Sequence, residues 1–167
     1  MSDVKQAFGS PITMTFAVQG LASDTNLLAG RESNYIDTTS GLYLDYLVGG
    51  KVKTGTSPTV NRTVELWVWG QLDDTPTYPD AITGVDGNKT LTTRDIMFSG
   101  LVPLHAVNTD ATSGRTYYIR PLSIASAFGG VLPKKWGLFL VHNTAVALDG
   151  TGGSFSFTAT PVYQTVA

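Results

Sequence analysis

The sequence predicts a single all-β domain, a jelly-roll-like β-sandwich of about eight antiparallel strands. Three observations lead there. Charged residues are only 14% of the chain, against about a quarter in an average globular protein. Thr, Ser, Gly and Asn take their place, whereas helical surfaces rely on Glu, Lys and Arg. Apolar residues recur with a period of two in several segments, the spacing of a half-buried strand. Gly, Pro, Asn and Asp punctuate those segments, and no long run has helical periodicity. With 167 residues, 42% of them hydrophobic, the chain has the material for one core.

The segments follow in order. Residues 1–10 are expected to form an extended N-terminal arm that orders on a partner, with the sandwich spanning 11–167. Residues 11–18 alternate, with Ile12, Met14, Phe16 and Val18 on one side and Thr13, Thr15 and Ala17 on the other. Residues 20–30 read as a loop and 35–38 as a short strand. Residues 42–53 form a strand with Leu42, Leu44, Tyr46 and Val48 on one face, and Gly49-Gly50 marks a bulge or a turn. Residues 54–61 are a loop.

The strand over residues 62–69 is the most informative. Val64, Leu66 and Val68 share one face, and Glu65, Trp67 and Trp69 share the other. A solvated face does not ordinarily hold two tryptophans, so both faces need cover: the core on one side, a long loop or a neighbouring subunit on the other. Residues 72–93 form a long excursion with two prolines and two glycines. Strands are expected over 95–104, 115–122, 136–142 and 154–163. Residues 123–131 fit a helical turn or an extended crossing. The last strand is expected to pair with the first.

No constellation for catalysis emerges. His105 and His142 lack the local partners of a zinc site, and no G-x-S-x-G elbow is present. Asp73-Asp74 and Asp86-Gly87-Asn88 are read as turns in preference to calcium ligands, since no EF-hand spacing surrounds them. The run Asp149-Gly150-Thr151-Gly152-Gly153 opens no helix and reads as a hairpin loop, not a phosphate cradle. With no cysteine and a net charge of −2, thiolate chemistry and the basic footprint of a nucleic-acid binder are both missing. No segment at the start has the apolar core of a secretory signal, and none is long enough to span a membrane. The expectation is a soluble, non-enzymatic product made in a cytoplasm, with no metal, cofactor, nucleic acid or membrane partner. Asn61 and Asn88 match glycosylation acceptors, read as chance.

Aromatic residues remain. Trp67, Trp69, Tyr78, Tyr117 and Tyr118 suit a core packed from both sides, anchors of a protein interface, or a sugar-stacking platform. The residues singled out as contact anchors are Trp67, Trp69, Tyr117 and Phe8.

The stretch Leu132-Pro133-Lys134-Lys135-Trp136-Gly137-Leu138-Phe139-Leu140-Val141-His142-Asn143-Thr144, followed by Ala147-Leu148-Asp149 and a Gly-rich turn, resembles small structural proteins encoded in tailed-bacteriophage head gene clusters. The strand Ile12–Gly20 and the segment Leu42–Val52 are compatible with that family. The resemblance covers most of the chain as a pattern and brings no catalytic motif. It implies a virion protein on the capsid exterior, a head decoration (cement) protein that binds the major capsid protein and assembles as a homotrimer. The competing expectation is a carbohydrate-binding or host-recognition module of a phage particle on the same sandwich.

Overall fold

The structure is a computed structural model and describes residues 3–73 and 78–166. Two antiparallel sheets face one another across the core. The first is built from β1 (Val4–Phe8), β2 (Ile12–Thr13), β5 (Tyr43–Lys53), β9 (Thr116–Ser123) and β11 (Ser156–Val166). The second holds β3 (Ala29–Glu32), β4 (Ile36–Asp37), β6 (Arg62–Gln71), β7 (Gly87–Thr90), β8 (Val102–Thr109) and β10 (Lys135–His142).

In the first sheet β11 lies between β1 and β5, and β9 closes the far side; β2 follows β1 along the same flank of β11. In the second sheet the order is β7-β3-β10-β6-β8, with β4 continuing β3's place beside β10. Taking β1 with β2, and β3 with β4, as interrupted single strands, successive long strands alternate between the sheets except for β6 and β8, which are neighbours in the second sheet, and the two sheet orders are those of a jelly roll with β7 added at one edge. The predicted fold class holds, and the last strand does pair with the first.

The main core lies between the sheets. Tyr46, Val48 and Val52 of β5 meet Val64, Leu66 and Val68 of β6 and Trp136, Leu138 and Leu140 of β10. Met14, Phe16 and Val18 join them, so the alternation at residues 11–18 is real. Only Ile12 and Thr13 of that segment are laddered, however. Gly49-Gly50 is a bulge, where the β5–β9 register shifts. A Cβ at Gly50 would run into the Ser156 carbonyl oxygen, so the bulge lets the two backbones approach closely.

A second core covers the outer face of the second sheet. Trp67 and Trp69 of β6 and Phe139 and Val141 of β10 pack there under Ile82, Leu91, Met97 and Leu101. The chain between β6 and β8 therefore supplies the cover that the tryptophans require. Gly137 makes room for the Trp69 ring, which a side chain there would strike.

Several expectations need correction. Residues 95–104 are not one strand: helix α1 (Arg94–Gly100) occupies the first part, and β8 starts at Val102. Thr93 caps the helix by accepting from the Ile96 amide, with Asp95 in the first turn. Of the two readings of residues 123–131, the helical turn is the one found: Ile124–Ala127 form the short helix α2, capped by Ser123. Residues 149–153 link β10 in one sheet to β11 in the other, so they are a crossing and not a hairpin. Leu42 and Leu44 do not share the buried face of Tyr46 and Val48; they are 94% and 51% exposed. A register shift between Val162 and Tyr163 releases the start of β5 from the pleat of its remainder.

Candidate interaction surface

A sheet edge presents unpaired backbone donors and acceptors, and natural proteins blunt such edges with prolines, bulges or short strands. The two sheets have four edges among the described residues, and three are blunted. Strand β8 has Pro103 and a register shift against β6. Strand β9 has Pro121 and the bulge against β5. Strand β7 is only four residues long.

The fourth edge is different. Strand β1 pairs with β11 without interruption, from Val4 opposite Val166 to Phe8 opposite Val162. It has no proline and no bulge, and Lys5 is its one charged residue. Beyond Tyr163 the ladder leaves the sandwich, because β5 begins at Tyr43, which is Tyr163's partner. The result is a two-stranded ribbon whose residues in β1 and at 164–166 are all unburied.

That ribbon is apolar where solvent would favour polar groups. Val4, Phe8 and Val166 are 63%, 58% and 68% exposed. Val4, Gln6 and Phe8 point to one face, and Lys5 and Ala7 to the other. Beside the ribbon, Gly9, Ile12, Leu42, Pro161 and Tyr163 line an open groove of about 570 Å³. Two-stranded ribbons are marginal on their own, and apolar groups gathered at one end of a domain mark a contact surface.

The predicted anchor residues separate. Phe8 lies on this ribbon and is open to a partner. Trp67 and Trp69 are 2% and 0% exposed, so neither offers surface to another molecule. They missed because the chain's own excursion covers them: Trp67 stacks edge-on with Phe98 and Trp69 with Tyr78. Arg94 lies over both the Trp67 and Phe98 rings and donates to Glu65, which also accepts from the Trp67 indole. Tyr117 packs against the main core, and its hydroxyl contacts Asp110. Tyr118 stands exposed on the outer face of the first sheet, beside a groove lined by Gly49, Gly50 and Lys51. The five aromatic residues thus form no common platform.

The titratable residues are engaged in structural bonds. His142 is buried, with Nε2 3.0 Å from the Leu21 carbonyl oxygen and Nδ1 3.0 Å from the Thr144 hydroxyl. Burial pushes its pKa below the ordinary histidine value, against the opposing effects of the Leu21 carbonyl and of Asp24. His105 is also lowered, by partial burial and then by Arg120. Asp86 accepts two bonds from Arg31 and one from the Ala17 amide, and Asn88 accepts from Arg31 as well. Asp149 is held down to about 2 by Lys53 first and the Thr151 amide second. Asp73 has an interaction partner, and Asp74 lies outside the described residues. Among the described residues no group of three His, Asp or Glu gathers as a metal site, and no helix is long and apolar enough to cross a membrane.

Sequence reasoning singled out Phe8 as a contact anchor without the strand edge that carries it. Val4, Leu42, Leu44 and Val166 escaped it, since their exposure follows from strand order and from where β5 begins. Neither a family model nor a curated protein matches the chain. Among solved structures, it is similar to VP2 in the crystal structure of the infectious bursal disease virus subviral particle. The identity is 10%, the TM-score 0.18, and the match covers 96% of this chain and 40% of that one, a likeness too loose to carry an argument.

Proposed function

We propose that this chain is a non-enzymatic structural protein of a virus particle, a head decoration protein that binds the outside of a major capsid shell as a homo-oligomer and reinforces it. The exposed β1–β11 ribbon is the observation that carries the reading. It places the exposed side chains of Val4, Phe8 and Val166 and a strand edge free of proline and bulge together at one end of the domain. The jelly-roll strand order is one that viral capsid and lectin domains use, and the resemblance of residues 132–149 to phage head proteins supports the capsid side. Repeated weak contacts on a symmetric lattice would hold such a protein by avidity. The capsid exterior as its location and the major capsid protein as its partner belong to this proposal.

Co-sedimentation of the purified protein with shells assembled from the major capsid protein of its own particle tests the proposal. The expected result is saturable binding to assembled shells and none to unassembled subunits. Absence from both shells and purified particles would overturn it. The carbohydrate-binding reading retains one foothold, Tyr118 beside the groove of about 440 Å³ at Gly49-Gly50. Glycan-array binding lost in Tyr118→Ala, with no binding to shells, would favour that reading instead.

A further inference from the structure

The β1 edge has the residue pattern of a strand made to meet its own copy. Two antiparallel copies of Val4–Phe8 can be aligned about a two-fold axis at Gln6. Val4 then faces Phe8 of the second copy, Lys5 faces Ala7, and Gln6 faces Gln6.

The neighbouring strand sharpens the match. Within one chain Val4 lies opposite Val166, Gln6 opposite Gln164, and Phe8 opposite Val162. Across the two copies, one face of the joined sheet would read Val166-Val4-Phe8-Val162, then Gln164-Gln6-Gln6-Gln164, then the first row reversed. Two apolar rows flank a ladder of four glutamines, each residue beside its own kind. Apolar cross-strand pairs and glutamine ladders both stabilise sheets.

Neighbouring registers lose this match. An axis at Lys5 sets two ammonium groups directly opposite each other, which is destabilising. An axis at Ala7 places Gln6 against Phe8. A parallel in-register pairing again opposes Lys5 to Lys5. The two-fold arrangement is also the one that closes, leaving no further edge to propagate.

We infer that this protein dimerises through β1, joining the first sheets of two copies into one continuous sheet across a two-fold axis at Gln6. The inference rests on the assembly reading and names its first contact: a pair of copies in place of the trimer that the family resemblance implies. The three blunted edges keep the pairing to this one site.

Light scattering across a concentration series, reaching about 100 μM because strand-edge contacts of this size are weak, reads the oligomer. A concentration-dependent dimer is expected. Phe8→Asp and Val4→Asp, both at exposed positions, should each weaken it about tenfold or more, roughly 1.4 kcal/mol per factor of ten, with unchanged circular dichroism and melting. The chain has no cysteine, so Gln6→Cys alone should give a disulfide-linked dimer on mild oxidation, while Lys5→Cys should not. Cross-strand pairs bring Cβ atoms to about 4.5–5.5 Å, close to disulfide reach.

A strict monomer, a trimer, a dimer indifferent to Phe8→Asp, or linkage at Lys5→Cys but not Gln6→Cys would overturn the inference. A monomer that still binds shells would sink the dimer and leave the assembly reading intact. A dimer with no affinity for particles would do the reverse.

Discussion

His142 shows how one buried residue ties the end of a central strand to two loops. Its ring nitrogens face the Leu21 carbonyl and the Thr144 hydroxyl, which itself donates to the Val146 carbonyl. The Leu21 carbonyl can only accept, so a neutral ring keeps its one N–H on Nε2 and donates there, while Nδ1 shares the Thr144 hydroxyl proton with the Val146 carbonyl. Burial disfavours the doubly protonated ring, and the folded-state pKa sits below that of the unfolded chain. The folded state therefore binds fewer protons, and stability rises with pH between the two values. Urea unfolding midpoints should hold above the unfolded histidine value of about 6.5 and fall as the pH drops below it. His142→Leu should remove most of that slope and lower stability at neutral pH by about 1–3 kcal/mol, because the Leu21 carbonyl loses its donor. A slope unchanged in the variant would assign the effect to His105, whose pKa is shifted the same way. Asp24, Asp37 and Asp149 all have lowered values, so what they contribute is lost only in stronger acid.

At the scale of elements, the excursion between β6 and β8 is pinned by Glu32 of β3. Its carboxylate is fully buried; it accepts from the Thr83 hydroxyl and from the Thr83 and Gly84 amides, and Lys89 lies 3.3 Å away. Glu32→Ala should strand those donors and cost about 1–3 kcal/mol. Trp67 and Trp69 lie under the same excursion, so tryptophan emission should shift to the red at lower denaturant than the loss of β-sheet circular dichroism. Coincident transitions would show that the excursion does not open separately. The two-sided burial of β6 was legible because tryptophan is costly to expose, but its cover stayed open between a long loop and a neighbouring subunit, since residues 72–93 have no period to read. Strands β3 and β7 were missed for a related reason. Each is four residues long and contains glycine, and their pairing comes from neighbours distant in sequence. Helix α1 passed for strand because Ile96, Met97 and Phe98 are consecutive apolar residues. Only Met97 is buried, and the Thr93 cap was the available signal. The candidate surface was the least legible part: an edge is a property of strand order, which no single segment encodes.

For the whole molecule, the ribbon and the sandwich are separable in energy. No residue of β1 is buried, so deleting residues 1–8 should change unfolding stability by no more than about 1 kcal/mol, the range of surface changes. The same deletion should abolish self-association in light scattering; a dimer that survives would place the contact elsewhere. A large loss of stability would mean that β1 supports the core after all. The placement of β11 also sets a schedule for biosynthesis. This strand is central to its sheet, flanked by β1 and β5, yet it is the last of the strands to leave the ribosome. Roughly 150 residues separate β1 from its partner, and at about 5–20 residues per second the first strand waits on the order of ten to thirty seconds. Throughout that interval both of its edges are open and its valine and phenylalanine are unshielded. In a crowded polysome the strand most suited to meeting its own copy is thus available to neighbouring nascent chains before its intramolecular partner exists, so expression yield should depend on translation speed and chaperone supply more than on the stability of the finished fold.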